Sequence, residues 1–460
     1  MSVIKIEMML ILDLNFIYQT FGRLPSVVNA AVSRVVIDSR TLQAGDVFVA
    51  IKGENFDGHN FVKDALAKGA LLCIVSRADF IGQDRCLLVE DTVKALGQLA
   101  HAWRMAVNPK LQVFGITGSA GKTTVKEMLA TILRSYVGDQ AVLATVGNFN
   151  NHIGLPLTLL QLTTRHRYAV IEMGMNHVGE LSYLTKITNP DFALVNNALR
   201  AHIGCGFDDV ADIARAKSEI YQGLSDQGIG FIPADDAQVN LYAMALKDQR
   251  AITFGIDKGD VHAENIVLGS QNIGFDLYSF HGVIALELPV LGLHMVHNAV
   301  AASAMALSAG LPLTALKALR NFVNVQGRLQ QKHSLQGALI IDDTYNANPD
   351  AFKAAIDVLS SFPAPRVIVM GAIGELGDNA PALHAEVGSY IRDQGIEAAF
   401  FIGNEARYAA EAYGAMDAFY EHKADLITDL RSWDQQMTTI LVKGSRFMQM
   451  EDVVSALVEK

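Results

Sequence analysis

The sequence predicts an α/β protein of three domains, and three observations carry that expectation. Short β-like runs alternate with helical ones along the whole chain, which is the pattern of parallel-sheet architecture. One of those strands runs into a glycine-rich turn and then a helix, the layout of a phosphate-binding loop. The 460 residues also exceed what one hydrophobic core usually serves, so roughly three domains follow. Boundaries are expected near residues 91 and 325, giving domains over 1–91, 92–325 and 326–460.

Half of the residues are apolar and 18% are charged, which excludes a disordered chain. The net charge of −11 argues against nucleic acid or an anionic membrane as partner, since both need clustered Lys and Arg. Three cysteines (Cys73, Cys86, Cys205) without metal-like spacing suit a reduced, cytoplasmic interior. The run Met8-Met9-Leu10-Ile11-Leu12 is bracketed by Glu7 and Asp13, is too short for a signal core, and reads as a strand or helix start. From Pro289 to Leu316 there is no Asp, Glu, Lys or Arg, yet His294, His297, Asn298, Gly310 and Pro312 interrupt it. Its helical part is rich in Ala and Ser, which pack closely but transfer weakly into lipid, so a buried helix over Asn298–Ala309 is expected and no membrane insertion.

Taken in order, the first domain contains strands at Val35–Ile37 and Val47–Ala50 and a helix at Phe61–Lys68. A helix over Thr92–Val107, stopped by Asn108-Pro109, leads into the second domain, which opens with the strand Leu111–Ile116. The third domain carries strands at Ala338–Ile341, Arg366–Met370, Ala399–Ile402 and Thr438–Val442.

The phosphate loop is Gly115-Ile116-Thr117-Gly118-Ser119-Ala120-Gly121-Lys122-Thr123, followed by a helix over Thr124–Leu133. Its glycines let backbone N–H groups converge on phosphate oxygens, Lys122 neutralises the outer phosphates, Thr123 offers a ligand to Mg²⁺, and the helix dipole adds to both. The usual first glycine would fall five positions before Gly121, where Ile116 stands. ATP and Mg²⁺ are the cofactors this loop predicts.

Strand Tyr168–Glu172 ends in a carboxylate at the edge where α/β sheets bind ligands, so Glu172 is a candidate for Mg²⁺; an ordinary strand-end acid is the alternative. Strand Phe192–Val195 leads to Ala201-His202, and a lone histidine there is more often a packing residue than a ligand. From Asp209 to Leu224 a helical stripe of Val210, Ile213, Ala214, Ile220, Tyr221 and Leu224 also contains Lys217. Spacing alone favours a snorkelling lysine or one paired with Glu219 or Asp212. The sharper alternative is a buried neutral amine that takes up CO₂ as a carbamate and gives Mg²⁺ an anionic oxygen. In the third domain, Asp342-Asp343-Thr344-Tyr345-Asn346-Ala347-Asn348-Pro349 puts two acids and two amides at a strand end, more than a capped turn requires. Lys443-Gly444-Ser445-Arg446 follows another strand and suits phosphate or carboxylate, and Gly327-Arg328 is placed to reach the nucleotide.

These residues resemble the Mur ligases, and within them the branch that adds D-alanyl-D-alanine to UDP-N-acetylmuramoyl-tripeptide. The likeness runs nearly end to end. It includes Asp38-Ser39-Arg40, Gly45–Ala50, Phe56-Asp57-Gly58-His59, the loop at Gly115, Gly147–Asn151 and Ile153–Pro156. It continues through Glu172–Asn176, Ala201-His202, Ala216–Glu219, His297-Asn298, Gly327-Arg328, Asp342–Pro349, Gly374–Gly377 and Lys443–Arg446.

The resemblance implies a small N-terminal α/β domain, a central P-loop ATPase-like domain with a mostly parallel sheet, and a C-terminal Rossmann-like α/β domain. It also implies that Gly115, Thr117, Gly118, Ser119, Ala120, Gly121, Lys122, Thr123 and Thr124 grip ATP, with Asn298, Arg328 and Asp343 on the nucleotide. Glu172, His202, Thr123 and a carbamylated Lys217 would hold magnesium, and Lys122, Lys217, His202 and Glu172 would form the catalytic set. Ser39 and Arg40 would face the uridine nucleotide, Asn148 and Asn151 the peptide, and Asn346, Asn348, Lys443 and Arg446 the incoming substrates. A cytoplasmic monomer is expected. Two segments depart from the family pattern: Ala372-Ile373 stands where an acid and Met are usual, and Leu199–Phe207 is similar in its Ala-His pair but less so around it. A sibling ligase that adds a diamino acid would carry Asp-Asn-Pro-Arg; here Asp378-Asn379 precedes Ala380-Pro381. A nucleotide-operated binding protein without ligase chemistry is the reading from another class.

Overall fold

In a computed structural model the described residues are 10–24, 29–204 and 206–458, and they form three α/β sheets. The first joins β1 (Val35–Val36), β2 (Val47–Val49), β3 (Leu72–Val75) and β4 (Cys86–Leu88) in sequence order, all parallel. The second holds β5 (Gln112–Thr117), β6 (Val142–Ala144), β7 (Tyr168–Glu172), β8 (Phe192–Val195), β9 (Ile229–Pro233), β10 (Arg250–Ile256), β11 (Val261–Leu268), β12 (Ile273–Ser279) and β13 (Gly282–Leu288). Their order is β13-β12-β11-β10-β9-β8-β5-β7-β6. The third runs β14-β15-β19-β16-β17-β18, from β14 (Gln330–His333), β15 (Leu339–Asp343), β16 (Arg366–Gly371), β17 (Ala398–Ile402), β18 (Phe419–Tyr420) and β19 (Thr439–Lys443).

Two compact units result. One takes in the chain up to Ile116 together with Leu133–Ala193 and Glu219–Gly230. In it, Leu42, Phe48, Ala50, Val62, Ala65, Cys73, Val75 and Phe80 pack a small core around the first sheet. The helix Thr92–Val107 begins where expected because Asp91 accepts from Val93 N and Lys94 N at 2.8 and 3.0 Å, a side-chain cap. Of the N-terminal apolar run, Met8 and Met9 lie outside the described residues. Leu10–Leu12 are neither strand nor helix; they lead to Asp13, which caps the helix Leu14–Thr20 by accepting from Phe16 N at 2.8 Å. Cys73 and Cys86 are free thiols on neighbouring parallel strands, and Cys205 lies outside the described residues.

The other unit comprises Thr117–Ile132, Leu194–Ser218 and the chain from Phe231 onward. Its six-stranded sheet is covered on both faces, as alternation dictates. Ile341, Ile368, Met370, Phe401 and Leu441 enter one core, while Ile340, Val367, Val369, Phe400, Ile440 and Val442 enter the other. The helix expected over Asn298–Ala309 spans Leu293–Ser308, with Gly292 at φ 90° turning the chain into it, so both histidines are helical. No helix among the described residues is long and apolar enough to cross a membrane. Strands β10 to β13, not foreseen from the sequence, add an antiparallel meander at β11-β12-β13.

Candidate active site

The phosphate loop departs from the usual spacing for a structural reason. β5 extends through Thr117, so Ile116 is a fully buried strand residue and the turn begins only at Gly118. A Cβ on Gly118 would lie 2.9 Å from Asn196 Cβ, and one on Gly121, at φ 79°, would lie 2.5 Å from both Asn196 Nδ2 and Asn298 Oδ1. The glycines are therefore required at 118 and 121, not at 116. Gly115 sits inside β5, where a Cβ would press on Met173 Cε at 3.0 Å.

Lys122 opens the helix Lys122–Val137, two residues before the expected start, and its Nζ donates to Gly118 O at 2.7 Å. Thr123 Oγ1 accepts from Arg328 Nη2 at 3.0 Å, and the guanidinium of Arg328 lies 4.4 Å above the ring of Tyr345. Thr124 is buried in the first helical turn. Ser119 N and Ala120 N are already engaged, donating to Asn197 O at 3.1 Å and Asn197 Oδ1 at 2.9 Å. The loop thus brings Lys122, Thr123 and Arg328 together at a helix N-terminus, an environment that favours anionic groups.

Lys217 is 3% exposed on the helix Val210–Ser218, so it does not snorkel. Neither carboxylate considered as its partner is available. Asp212 pairs with Arg215, and Glu219 leaves the α-helix for a 3-10 turn and caps another helix, accepting from Gly179 N at 2.9 Å and Ser182 N at 3.2 Å. Burial, and then the nearby Lys122 charge, pull the Lys217 amine well below the usual ammonium range. His202 is held at φ 65° with its Nδ1 2.9 Å from Glu375 Oε2, and Glu375 is itself at φ 62°. Two non-glycine residues in the left-handed region, joined to each other, mark a strained contact of the kind concentrated at functional sites. A donating Nδ1–H leaves the Nε2 lone pair as the acceptor.

Glu172 ends β7 as expected and is 2% exposed. Asn150 Nδ2 donates to its Oε1 at 2.8 Å, while the Glu172 backbone N–H donates to Thr145 Oγ1 at 3.0 Å, so the carboxylate is oriented from the neighbouring loop.

With this geometry in view, three family models account for most of the sequence: "Mur ligase family, catalytic domain" over residues 31–104, "Mur ligase middle domain" over 116–306, and "Mur ligase, glutamate ligase domain" over 327–446. The chain belongs to the Mur ligase family. It is 41% identical to the UDP-N-acetylmuramoyl-tripeptide--D-alanyl-D-alanine ligase of Haemophilus influenzae over 94% of this chain and 95% of that one. A crystal structure of MurF from Acinetobacter baumannii superposes with a TM-score of 0.88 at 37% identity, covering 97% of this chain and 98% of that one. The MurF ligase of Thermotoga maritima, solved in complex with ADP, superposes with a TM-score of 0.82 at 28% identity over 92% and 96% of the two chains.

The remaining residues expected to serve this Mur ligase are placed as follows. Arg40 is exposed and tied to Asp38, with Nη2 to Oδ2 at 2.7 Å, and Ser39 O accepts from Lys68 Nζ at 2.7 Å. Asn148 and Asn151 are both exposed, and Asn151 Oδ1 accepts from Ile153 N at 3.1 Å and Gly154 N at 2.9 Å at the start of a short helix. Asn348 is the buried cap of the helix Pro349–Ser360, accepting from Ala351 N at 2.8 Å, and Asn346 is exposed. Asp343 and Lys443 pair with each other at 2.5 Å, and Lys443 Nζ also donates to Asn346 O at 3.0 Å. Arg446 is exposed and paired with Glu451 at 2.7 Å. Ala372 and Ile373 are 0% and 2% exposed members of a hydrophobic core, so the departure there puts apolar packing where an acid is usual.

Sequence reasoning passed over Asn150, Asn196, Asn197, Arg200 and Glu375. The Gly147–Asn151 and Gly374–Gly377 runs already contained two of them, but nothing local says that Asn150 reaches Glu172 or that Glu375 reaches His202.

Proposed function

We propose that the chain is an ATP-dependent ligase that joins D-alanyl-D-alanine to UDP-N-acetylmuramoyl-tripeptide, forming the UDP-linked pentapeptide precursor of peptidoglycan with release of ADP and phosphate. The observation that carries this reading is 41% identity, along nearly the whole chain, to a ligase named for that reaction. The geometry at Lys122, Thr123, Arg328, His202 and Lys217 supports it.

The terminal carboxylate of the tripeptide attacks the γ-phosphorus of ATP, the bond to the β-phosphate oxygen breaks, and ADP leaves with an acyl phosphate formed. The amine of D-alanyl-D-alanine then attacks the acyl carbon, loses a proton, and phosphate departs from the tetrahedral adduct. Lys122 and Arg328 supply positive charge to the phosphoryl oxygens, and the loop amides position them. Asp343, Asn298 and the loop residues contact the nucleotide in this reading. Ser39 and Arg40 contact the uridine end, Asn148 and Asn151 the peptide, and Asn346, Asn348, Lys443 and Arg446 the acceptor side.

The donors suit Mg²⁺, which takes oxygen ligands and commonly combines one or two carboxylates with substrate phosphates. Glu172 is buried and oriented, Thr123 offers a hydroxyl, His202 a ring nitrogen, and burial pushes the Lys217 amine toward the neutral form that CO₂ uptake requires. Among the described residues no group of three or more His, Cys, Asp or Glu could by itself hold a metal ion. Bound at these donors, Mg²⁺ would neutralise phosphate charge. ATP and a UDP-linked substrate support a cytoplasmic enzyme, taken here as a monomer with domains over 1–91, 92–325 and 326–460.

Phosphate release in an amine-donor screen with ATP and the UDP-tripeptide tests this. D-alanyl-D-alanine is expected to be the preferred donor; release driven instead by a diamino acid with the dipeptide precursor would overturn the assignment.

A further inference from the structure

Two consecutive asparagines at the end of β8 hold the phosphate loop from behind. Asn196 Nδ2 donates to Ala120 O at 3.0 Å and to Asn298 Oδ1 at 2.9 Å. Asn197 grips the same loop residue from both sides, accepting from Ala120 N through Oδ1 at 2.9 Å and donating from Nδ2 to Ala120 O at 3.2 Å. Its carbonyl accepts from Ser119 N at 3.1 Å, and Asn196 N donates to Thr117 O at 2.8 Å. One turn further, Leu199 N donates to Ser119 Oγ at 2.9 Å. The side chain of Asn196 fills the space left by the two loop glycines, since a Cβ at 118 or 121 would strike it at 2.9 or 2.5 Å.

We propose that Asn196 and Asn197 are positioning residues that preset the phosphate loop and, through the Asn196–Asn298 bond, tie its phosphate end to the nucleoside end of the same site. The orientation of Asn196 is dictated by its neighbours. Both groups it meets, a carbonyl and an amide oxygen, are acceptors, so only the Nδ2 side fits there, and Asn196 Oδ1 is left buried with no hydrogen-bond partner among the described residues. A buried acceptor left unsatisfied costs free energy. In this orientation the Nδ2 donor serves two acceptors at once. With Ser119 N and Ala120 N consumed by Asn197, the loop cannot rotate those amides outward without breaking bonds. It is therefore rigid before nucleotide arrives, which lowers the ordering cost of binding.

This rests on the nucleotide reading above, and ADP titration of the full-length protein by calorimetry tests both. Asn196→Leu keeps the side-chain volume and removes both donors; Asn197→Ser, at a half-buried position, removes the grip on Ala120 with less disturbance. Each is expected to weaken ADP binding roughly tenfold, the effect of losing one to two net hydrogen bonds. The KM for the UDP-linked substrate should change less than about twofold, because Asn196 and Asn197 hold only the nucleotide loop. Combining Asn196→Leu with Asn298→Ala should weaken ADP binding by less than the product of the single effects. Wild-type protein that binds ADP while both variants bind it equally well would overturn the brace alone. An equal rise in both KM values would also overturn it, since that marks general loosening. Wild-type protein that fails to bind ADP would overturn the nucleotide reading and the brace with it.

Discussion

Arg200 and Asp350 are joined through the Arg200 backbone N–H to Oδ2 at 2.9 Å, through Nε to Oδ1 and Oδ2 at 3.0 and 3.2 Å, and through Nη2 to Oδ1 at 2.5 Å. The same guanidinium reaches both oxygens of Glu386 at 2.9 Å, and Lys353 also pairs with Glu386. His202 lies two residues beyond Arg200, and Gly204 lies against Gly377, where a Cβ would meet the Gly204 carbonyl at 2.6 Å. One of the two segments that depart from the family pattern is thus anchored by a bidentate arginine fork, a geometry that fixes position as well as charge. Arg200→Ala is expected to lower kcat roughly ten- to hundredfold by misplacing His202, with ADP affinity nearly unchanged. Arg200→Lys should fall between the two, because a point charge cannot fork both carboxylates. Steady-state kinetics with calorimetric ADP binding checks this; wild-type kcat in Arg200→Ala would show that the fork does not position His202.

Glu386 gives that anchor a pH signature. The hydrogen bonds from Arg200, with Lys353 adding to them, hold its carboxyl down to about 2. A depressed carboxylate stabilises the fold above its unfolded value, roughly 4.3, and the contribution is lost as pH falls through that value toward 2. The melting-temperature difference between wild type and Glu386→Gln should therefore be constant near neutrality and shrink on acidification below about pH 4.5. Because the group is about a third exposed, added salt should shrink the difference too. A difference that grew on acidification would contradict the ion-pair account.

What was legible in the sequence was local. A strand, the glycine turn from Gly118 to Gly121 and a helix follow one another, and that order is the pattern of a phosphate loop; Lys217 is conspicuous because it interrupts an apolar stripe. The fate of Lys217 was not legible, because Glu219 and Asp212 are in reach by spacing and only the folded chain shows them occupied by Gly179, Ser182 and Arg215. Arg200 and Asp350 are 150 positions apart, and no periodicity predicts such a pair. The meander was different. Val261 and Ala263, and then Ile273, Phe275 and Leu277, bury alternate residues in a pattern the sequence does carry.

Gly121 sets a steric limit on the loop. Alanine there must adopt φ near 79° and place its Cβ 2.5 Å from Asn196 Nδ2 and Asn298 Oδ1. Left-handed backbone costs about 1–2 kcal/mol for a residue with a Cβ, and overpacking adds about 1–3 kcal/mol. Gly121→Ala should therefore lower the melting temperature by several degrees and weaken ADP binding more than Gly115→Ala, whose main neighbour is a flexible methionine. Differential scanning fluorimetry with and without ADP compares the two. Equal effects would show that the glycines serve packing alone.

Lys217 should trade stability for activity. Its amine is buried, and burial together with Lys122 lowers its pKa, so the folded state disfavours the charged form that the unfolded chain holds up to roughly pH 10.4. The unfolded state then binds more protons, and the group opposes folding most strongly at low pH, with the opposition fading as pH rises toward that unfolded value. Methionine fills the same volume without the charge. Lys217→Met, measured in CO₂-free buffer without nucleotide, should melt higher than wild type at neutral pH, by an increment that shrinks as the buffer is made more alkaline. The same variant should lose at least about a hundredfold in kcat, since it can neither form a carbamate nor supply an anionic oxygen near the phosphates. A variant less stable than wild type would mean that the native lysine is charged and paired, and the carbamate proposal would fall with its neutral amine.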